Sequence, residues 1–231
     1  MLVAYAGNAI SQSFAKLNYS LEKDFDAVTQ IGSLPLTVHP SLPVKNVKEF
    51  VALIKARPKQ LYYASPGNGS LPHLAAELFK SQAAVEIMHV PYKNNPQVIT
   101  DLIGGQIAMT FAAPLPVLPH AKAGRLRLIA ISSAERSAVA PEVPTIAEAG
   151  LAGFDVGQRY GVLAPTGASR EIIARLNKEI ANIIRMPDIR DKLASGGVDT
   201  ATGTQQDVAV SIKSEIAKWA KAVKASGARV D

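Results

Sequence analysis

The sequence predicts an α/β protein in which strand-turn-helix units are layered over a mostly parallel sheet. Short apolar runs alternate with longer stretches of helical periodicity, and glycine or proline punctuates the junctions between them. With 231 residues, 48% of them apolar, the chain is long enough for one large or two modest domains with their own cores.

The elements follow in order. Met1 to Tyr5 is short and apolar and runs through Ala6-Gly7-Asn8 into Ala9 to Phe14, which predicts a strand, a turn and a helix. After the polar turn Leu21 to Phe25, the apolar stretch Ala27 to Val38 predicts one strand ending at His39-Pro40. Asn46 caps a helix with Glu49 three residues on, Val47, Phe50, Val51 and Ile54 on its apolar face, and Pro58 as its stop. Leu61 to Ala64 and Val85 to Val90 read as strands on either side of a helix carrying Leu71, Leu74 and Leu78. Asn95 and Pro96 open a further helix, as cap and first residue, with Ile99, Leu102 and Ile103 buried and Gly104-Gly105 ending it.

Ile107, Met109 and Phe111 alternate like a half-buried strand, and Pro114, Pro116 and Pro119 predict a short, broken segment closed by Gly124. Leu126 to Ile131 is again a strand, Pro141 to Gly150 a turn into one or two helical turns, and Phe154 to Leu163 a strand stopped at Pro165. Helices dominate from there. Ser169 caps one with Ile172, Ile173, Leu176, Ile180 and Ile183 on one side. Pro187 separates it from a short one ending at Gly196-Gly197, and Thr204 and Asp207 open the last, with Ile212, Ile216, Trp219 and Val223 inside.

The most informative stretch for function is Ser65-Pro66-Gly67-Asn68-Gly69-Ser70-Leu71-Pro72-His73. Ser70 is the natural N-cap, Pro72 sits where its missing N–H costs nothing, and Gly67 and Gly69 permit the positive φ angles of a tight turn. This predicts helix amides facing open space at the positive end of the dipole, a place suited to a carboxylate or phosphate. Ordinary strand-to-helix punctuation is the alternative. The lysine and glycine spacing of a phosphate-binding P-loop and the dinucleotide fingerprint are both absent.

Other chemistry is constrained by what the chain contains. The formal charge of +6 comes without a basic run interleaved with aromatics, so nucleic acid is not an expected partner, although a positive field favours small anions. With no cysteine there is no disulfide or thiol chemistry. No apolar stretch is long enough to span a bilayer, and Met1 to Gly7 lacks the basic region and apolar core of a secretory signal. Among His39, His73, His89 and His120 none stands at metal-ligand spacing, so neither metal nor cofactor is expected. His73 is the histidine placed to face a ligand, with capping or packing as the alternative; His89 reads as structural. Ser70 has no nucleophile elbow around it, and Glu77, Asp101 and Glu148 read as solvated helix faces. Lys93 and Arg159 are candidates for neutralising an acidic ligand, and Gln158-Arg159-Tyr160 falls near a strand end where it can face a cleft.

Gly67 to Ser70 with His73 to Phe79, then His89-Val90-Pro91-Tyr92-Lys93, Asp101-Leu102-Ile103-Gly104-Gly105-Gln106, Leu118 to Arg127, Pro141 to Gly150 and Leu163-Ala164-Pro165, resemble the Bug family. These are the extracytoplasmic solute receptors of tripartite tricarboxylate transporters, and the likeness covers essentially the whole chain. It implies a type II periplasmic-binding-protein fold, two α/β lobes joined by crossing strands. Lobe 1 would comprise 1–34 and 159–231, incomplete at its N-terminus, and lobe 2 residues 35–158. It implies a non-enzymatic, monomeric receptor for a small carboxylate, delivered to membrane permease subunits. The ligand would be held by Gly67, Asn68, Gly69 and Ser70 from one lobe and Ala6, Gly7 and Asn8 from the other, with His73, Ala112, Gln158 and Arg159 as further lining positions.

Three departures from the family pattern accompany the resemblance. The signal peptide and the first strand with its proline- and glycine-rich loop are missing, which implies a truncated chain, a misplaced start or a degenerate one; the location is periplasmic by resemblance and cytoplasmic if the start is genuine. Ala112 replaces a frequent aspartate and Asn94-Asn95 a glycine pair. Gln158-Arg159-Tyr160 stands where many members are aromatic-rich. A fragment acting as an interaction or sensor module, and a hydrolase or lyase using Ser70 and His73, are the competing expectations.

Overall fold

The computed structural model describes residues 2–5, 10, 11, 14, 20, 24–31, 34–138, 140–157, 160–195, 200, 201 and 205–226. In chain order the strands are β1 (Leu2–Tyr5), β2 (Phe25–Ile31), β3 (Pro35–Val38), β4 (Tyr62–Ser65), β5 (Met88–Pro91), β6 (Met109–Phe111), β7 (Arg127–Ile131), β8 (Tyr160–Pro165) and β9 (Thr200–Ala201). The helices are α1 (Val47–Ala56), α2 (Leu71–Ala83), α3 (Asn95–Ile103), α4 (Pro114–Lys122), α5 (Arg170–Arg185), α6 (Pro187–Ser195) and α7 (Gln205–Ser226). They fall into two compact units, one of Ser33–Gly157 and one of Met1–Gly32 with Gln158–Arg229.

In the unit of Ser33–Gly157 the sheet order is β5-β4-β6-β3-β7. β4 pairs in parallel with β5 and β6, because the helical crossovers α2 and α3 return the chain to the same end each time. β3 runs antiparallel to β6 and β7, so the mostly parallel sheet expected from the strand-helix alternation is a mixed one. In the other unit, ordered β1-β8-β2-β9, every described pair is antiparallel.

The apolar run Ala27 to Val38, expected to be one strand, is two: β2 pairs with β8 and β9, β3 with β6 and β7. An apolar run carries no mark of which sheet it serves, and Gly32-Ser33 and Pro35 punctuate this one without saying that the sheet changes there. Other differences have local causes. Asn94, not Asn95, caps α3 by accepting the Gln97 N–H at 3.0 Å. Pro114 and Pro116 fall in the first turn of α4, where missing N–H groups are harmless, so a nine-residue helix forms despite Pro119 inside it.

β6 is buried along its whole length, because helices or strands cover both its faces. β5 starts at Met88 and β8 at Tyr160, later than expected; Phe154 and Val156 are buried through side-chain packing outside any strand. Thr145 to Gly150 makes a single turn, closed by the Ala149 N–H on the Thr145 carbonyl at 3.0 Å.

The core of the Ser33–Gly157 unit centres on Phe50, Phe79, Phe111 and Phe154, with the Phe111 and Phe154 rings stacked 6.1 Å apart. In the other unit α5 and α7 pack on β2, and Ile173, Leu176 and Ile180 of α5 meet Val162 and Ala164 of β8. Ile172 and Ile183, expected on that same face, are exposed, and Ile184 is buried in their place. Trp219 is fully buried on α7 and donates its indole N–H to Glu215 Oε2 at 2.8 Å. Of the helix expected over Ala9 to Phe14, Ile10, Ser11 and Phe14 are helical and the remainder lies outside the described residues.

Candidate functional site

The loop between β4 and α2 has the geometry its residues dictate. Gly67 adopts φ +132° and Gly69 φ +70°, and the chain then enters α2 at Ser70 in extended conformation. Ser70 Oγ accepts the His73 N–H at 3.4 Å and donates its own hydrogen to the Gly67 carbonyl at 2.7 Å. The parallel neighbour β5 walls one side, with the Tyr92 N–H on the Ser65 carbonyl at 2.8 Å and the Tyr92 carbonyl 3.8 Å from where a Gly67 Cβ would stand.

The amides of this loop do not all face open space. Gly67 N–H donates to Ser65 Oγ at 3.3 Å, Gly69 N–H to His73 Nδ1 at 3.0 Å, and Ser70 N–H to the Gly67 carbonyl at 3.3 Å. The acceptors are neutral, and two of the three bonds are long. A charged carboxylate is the stronger acceptor, since charge-assisted bonds are roughly twice as strong as neutral ones. No acidic residue stands in the first turn of α2, so no side chain of that turn offsets the positive end of its dipole.

Beneath the loop lies a cluster that sequence spacing did not reveal. The imidazoles of His73 and His89 stack with centroids 4.2 Å apart and planes 9° from parallel, and the Tyr63 ring continues the stack 4.7 Å beyond His89. His89 Nε2 lies 2.8 Å from Ser65 Oγ. Tyr63 donates its hydroxyl to Glu77 Oε1 at 2.5 Å, and Lys80 Nζ meets the same oxygen at 2.7 Å. Burial pushes the Tyr63 hydroxyl well above the usual range, reinforced by the bond to Glu77 and by its charge. Burial likewise lowers both histidines, His89 to about 4, with the neighbouring His73 adding to the effect on His89. Both rings are therefore neutral near pH 7. Register could have exposed the cluster: Tyr63 lies opposite His89 in the β4–β5 pairing, and Ser65 follows two residues on, on the same face.

The remaining expected site residues fare differently. Ala112 is buried in the core with Ala64, Val98 and Val117 and gives its N–H to the Pro35 carbonyl at 3.2 Å, so it offers a ligand no polar group. Glu77 and Asp101, read as solvated faces, each accept a tyrosine hydroxyl; Asp101 takes that of Tyr92, whose pKa burial and this bond push up to about 12. Lys93 is exposed. Ser70 makes no hydrogen bond to the His73 ring, whose Nδ1 is turned to Gly69, so the pair lacks the contact a nucleophile and base require. Ala6, Gly7, Asn8, Gln158 and Arg159 lie outside the described residues. Among the described residues no acidic, histidine or cysteine group of three could hold a metal ion, and no helix is long and apolar enough to cross a membrane.

Comparison with known proteins gives the family of the chain. The family model described as tripartite tricarboxylate transporter family receptor matches residues 1–228. The chain belongs to that receptor family. One curated relative in the family, a UPF0065 protein in the tcbD-tcbE intergenic region of a Pseudomonas species, is 34% identical over 227 residues, covering 96% of this chain and 68% of the relative. BugT of Bordetella pertussis is 32% identical over 214 residues, covering 92% of this chain and 66% of BugT. The chain thus spans about two thirds of the length of these curated relatives.

Solved structures agree with this assignment. Rpa4515 of R. palustris, solved with adipate, is 32% identical, with a TM-score of 0.82 covering 99% of this chain and 78% of that one. MatC from Rhodopseudomonas palustris, solved with bound malate, is 27% identical with a TM-score of 0.77 over 96% of this chain and 78% of MatC. The periplasmic binding protein BugD, at 23% identity and a TM-score of 0.79 over 100% of this chain and 79% of BugD, shares the fold. This receptor family therefore has the α/β periplasmic-binding-protein fold, as the resemblance implied.

Proposed function

We propose that this chain is a solute receptor that captures a small carboxylate at the Gly67–Ser70 loop and hands it to a membrane permease outside the cytoplasm, without catalysis. The observation that carries the reading is the N-terminus of α2: two glycines at positive φ, a neutral serine cap, and no acidic residue in the first turn. Relatives at 32% and 27% identity were solved with adipate and malate, so a dicarboxylate is the ligand class to try first.

In this reading one carboxylate takes up the weakly held donors of Gly67 and Ser70, with Asn68 and Gly69 shaping the turn. The expected lobes, 1–34 with 159–231 and 35–158, belong to the proposal, as do Ala6, Gly7 and Asn8 as a further set of contacts and Gln158 beside Arg159 as a second charge partner. Ligand binding would shift an open–closed equilibrium, the closed form being the one a permease accepts. Titration calorimetry with adipate, malate and a monocarboxylate panel on folded protein tests it. Saturable heat with a dicarboxylate supports the reading; no heat with any member of the panel defeats it. Replacing Arg159 by Ala should weaken dicarboxylates more than monocarboxylates if its guanidinium answers the second charge.

A further inference from the structure

We propose that the stacked pair His73 and His89 are positioning residues that hold the Gly67–Ser70 loop in its ligand-accepting shape, each imidazole fixing one glycine, and that a proton on His73 releases the loop. This rests on the reading of the loop as the ligand site. His73 fixes Gly69 directly, its Nδ1 accepting the Gly69 N–H at 3.0 Å. That bond assigns the tautomer, with Nδ1 bare and the proton on Nε2. His89 acts at one remove: Ser65 Oγ donates to the Gly67 carbonyl at 2.9 Å and receives the Gly67 N–H at 3.3 Å, so His89 Nε2, 2.8 Å away, donates to that oxygen. Two side chains from different elements, α2 and β5, therefore converge on the two residues of the loop whose backbone lies at positive φ.

The stack makes the two anchors one unit. At 4.2 Å and 9° the rings share a face, with Tyr63 of β4 closing the far side of His89, so neither ring turns without disturbing the other. Charging His73 means placing a proton on Nδ1, where it would point at the Gly69 N–H; donor then faces donor, and the loop loses that anchor. Two imidazolium rings at this separation repel, so the pair takes up its first proton as a unit and resists the second. The other charged groups acting on the pair are Glu77 and Lys80 of α2 itself, with the Tyr63 hydroxyl bound to Glu77. Glu77 favours the proton and Lys80 opposes it. Burial outweighs both and keeps the anchors neutral until the solution is distinctly acid.

The test uses the full chain without ligand and then with adipate. In nitrogen-15 spectra, the amide shifts of Gly67 and Gly69 should titrate together with the histidine ring resonances, at an apparent pKa below the ordinary histidine value. Amides that stay still while the rings titrate overturn the proposal. In calorimetry near neutral pH, His73→Ala should weaken adipate by about tenfold, while His73→Asn, whose side-chain oxygen can stand where Nδ1 stands and cannot be charged, should restore affinity to within about twofold. An asparagine variant no better than the alanine one overturns the proposal, and His89→Gln, read by the same spectra at Gly67, serves if neither His73 variant folds. Between about pH 7 and about pH 4 the wild-type affinity should fall roughly twofold relative to His73→Asn, protonation of the ligand being common to both and cancelling in the ratio. The spectra require no ligand. Loop amides that follow the histidines in a protein that binds no carboxylate would thus leave the positioning pair standing and defeat only the receptor reading.

Discussion

Helices α1 and α2 begin in the same way and end up with opposite electrostatics. In each, the third helical residue reaches back four positions to a backbone N–H: Glu49 Oε2 accepts from Lys45 at 2.6 Å, and His73 Nδ1 accepts from Gly69 at 3.0 Å. Each also has a polar cap, Asn46 on the Glu49 N–H at 2.9 Å and Ser70 on the His73 N–H at 3.4 Å. The difference is charge. α1 carries its own carboxylate at the positive end of its dipole, whereas α2 uses a neutral ring for the same mechanical task. A helix that must hold its entry loop without filling its own anion site needs an acceptor that is not an anion, and imidazole kept neutral by burial meets that condition.

The comparison can be broken most severely by making α2 resemble α1. In His73→Glu the longer carboxylate can still reach the Gly69 N–H, but it places an anion where the ligand's would lie. Adipate affinity is expected to fall by about 100-fold or more while the helix stays folded, since an acidic group in the first turn favours the helix. Calorimetry paired with circular dichroism checks this, and undiminished binding would show that the α2 terminus is not the anion site. Next in size is Gly67→Ala. At φ +132° the added Cβ meets only ordinary contacts, so the penalty is backbone strain of about 1–3 kcal/mol, read as a lower urea midpoint together with weaker adipate binding.

The counterpart change in α1, Asn46→Ala, should cost about 1 kcal/mol of stability through the lost cap and leave carboxylate affinity untouched. A change in affinity there would mean that the two termini are not independent. Acid acts on stability through the buried stack. The folded-state pKa of His89 is lowered from 6.5 to about 4 by burial first and by His73 next, so the unfolded chain binds its proton more readily. Its contribution to stability is whole above about pH 6.5 and is lost progressively as the pH falls toward about 4. Denaturation midpoints measured across that window should decline, less so in His89→Gln, and a rise on acidification would contradict the neutral stack.

What was readable from sequence was local. Ser70, Gly67, Gly69 and Pro72 identify a capped helix entry because cap, turn and tolerated proline act within one turn of each other, and Asn46 with Glu49 is legible for the same reason. The His73–His89 pair was not, because the two residues meet only through the parallel pairing of β4 with β5 and the crossover that lays α2 over it. Glu77 looked like a solvated carboxylate until Tyr63, fourteen residues earlier, brought a hydroxyl to it. Ala112 was singled out by family pattern alone, and its burial follows from β6 lying in the middle of the sheet. The break between β2 and β3 escaped because strand-like residues on either side of Gly32-Ser33 do not say which sheet each half joins. The Bug-family motifs carried the fold further than periodicity did, since periodicity supplies elements but says nothing of which strand lies beside which.

The buried indole of Trp219 is the sole tryptophan of the chain, and it belongs to the unit that does not contain Gly67 to Ser70. Ultraviolet emission excited in that ring therefore follows the melting of one unit, whereas the six tyrosines divide equally between the two and report on both together. The indole is thus an optical label for its own unit alone, and its brightening or dimming when adipate is added would report on the unit that does not contain the loop.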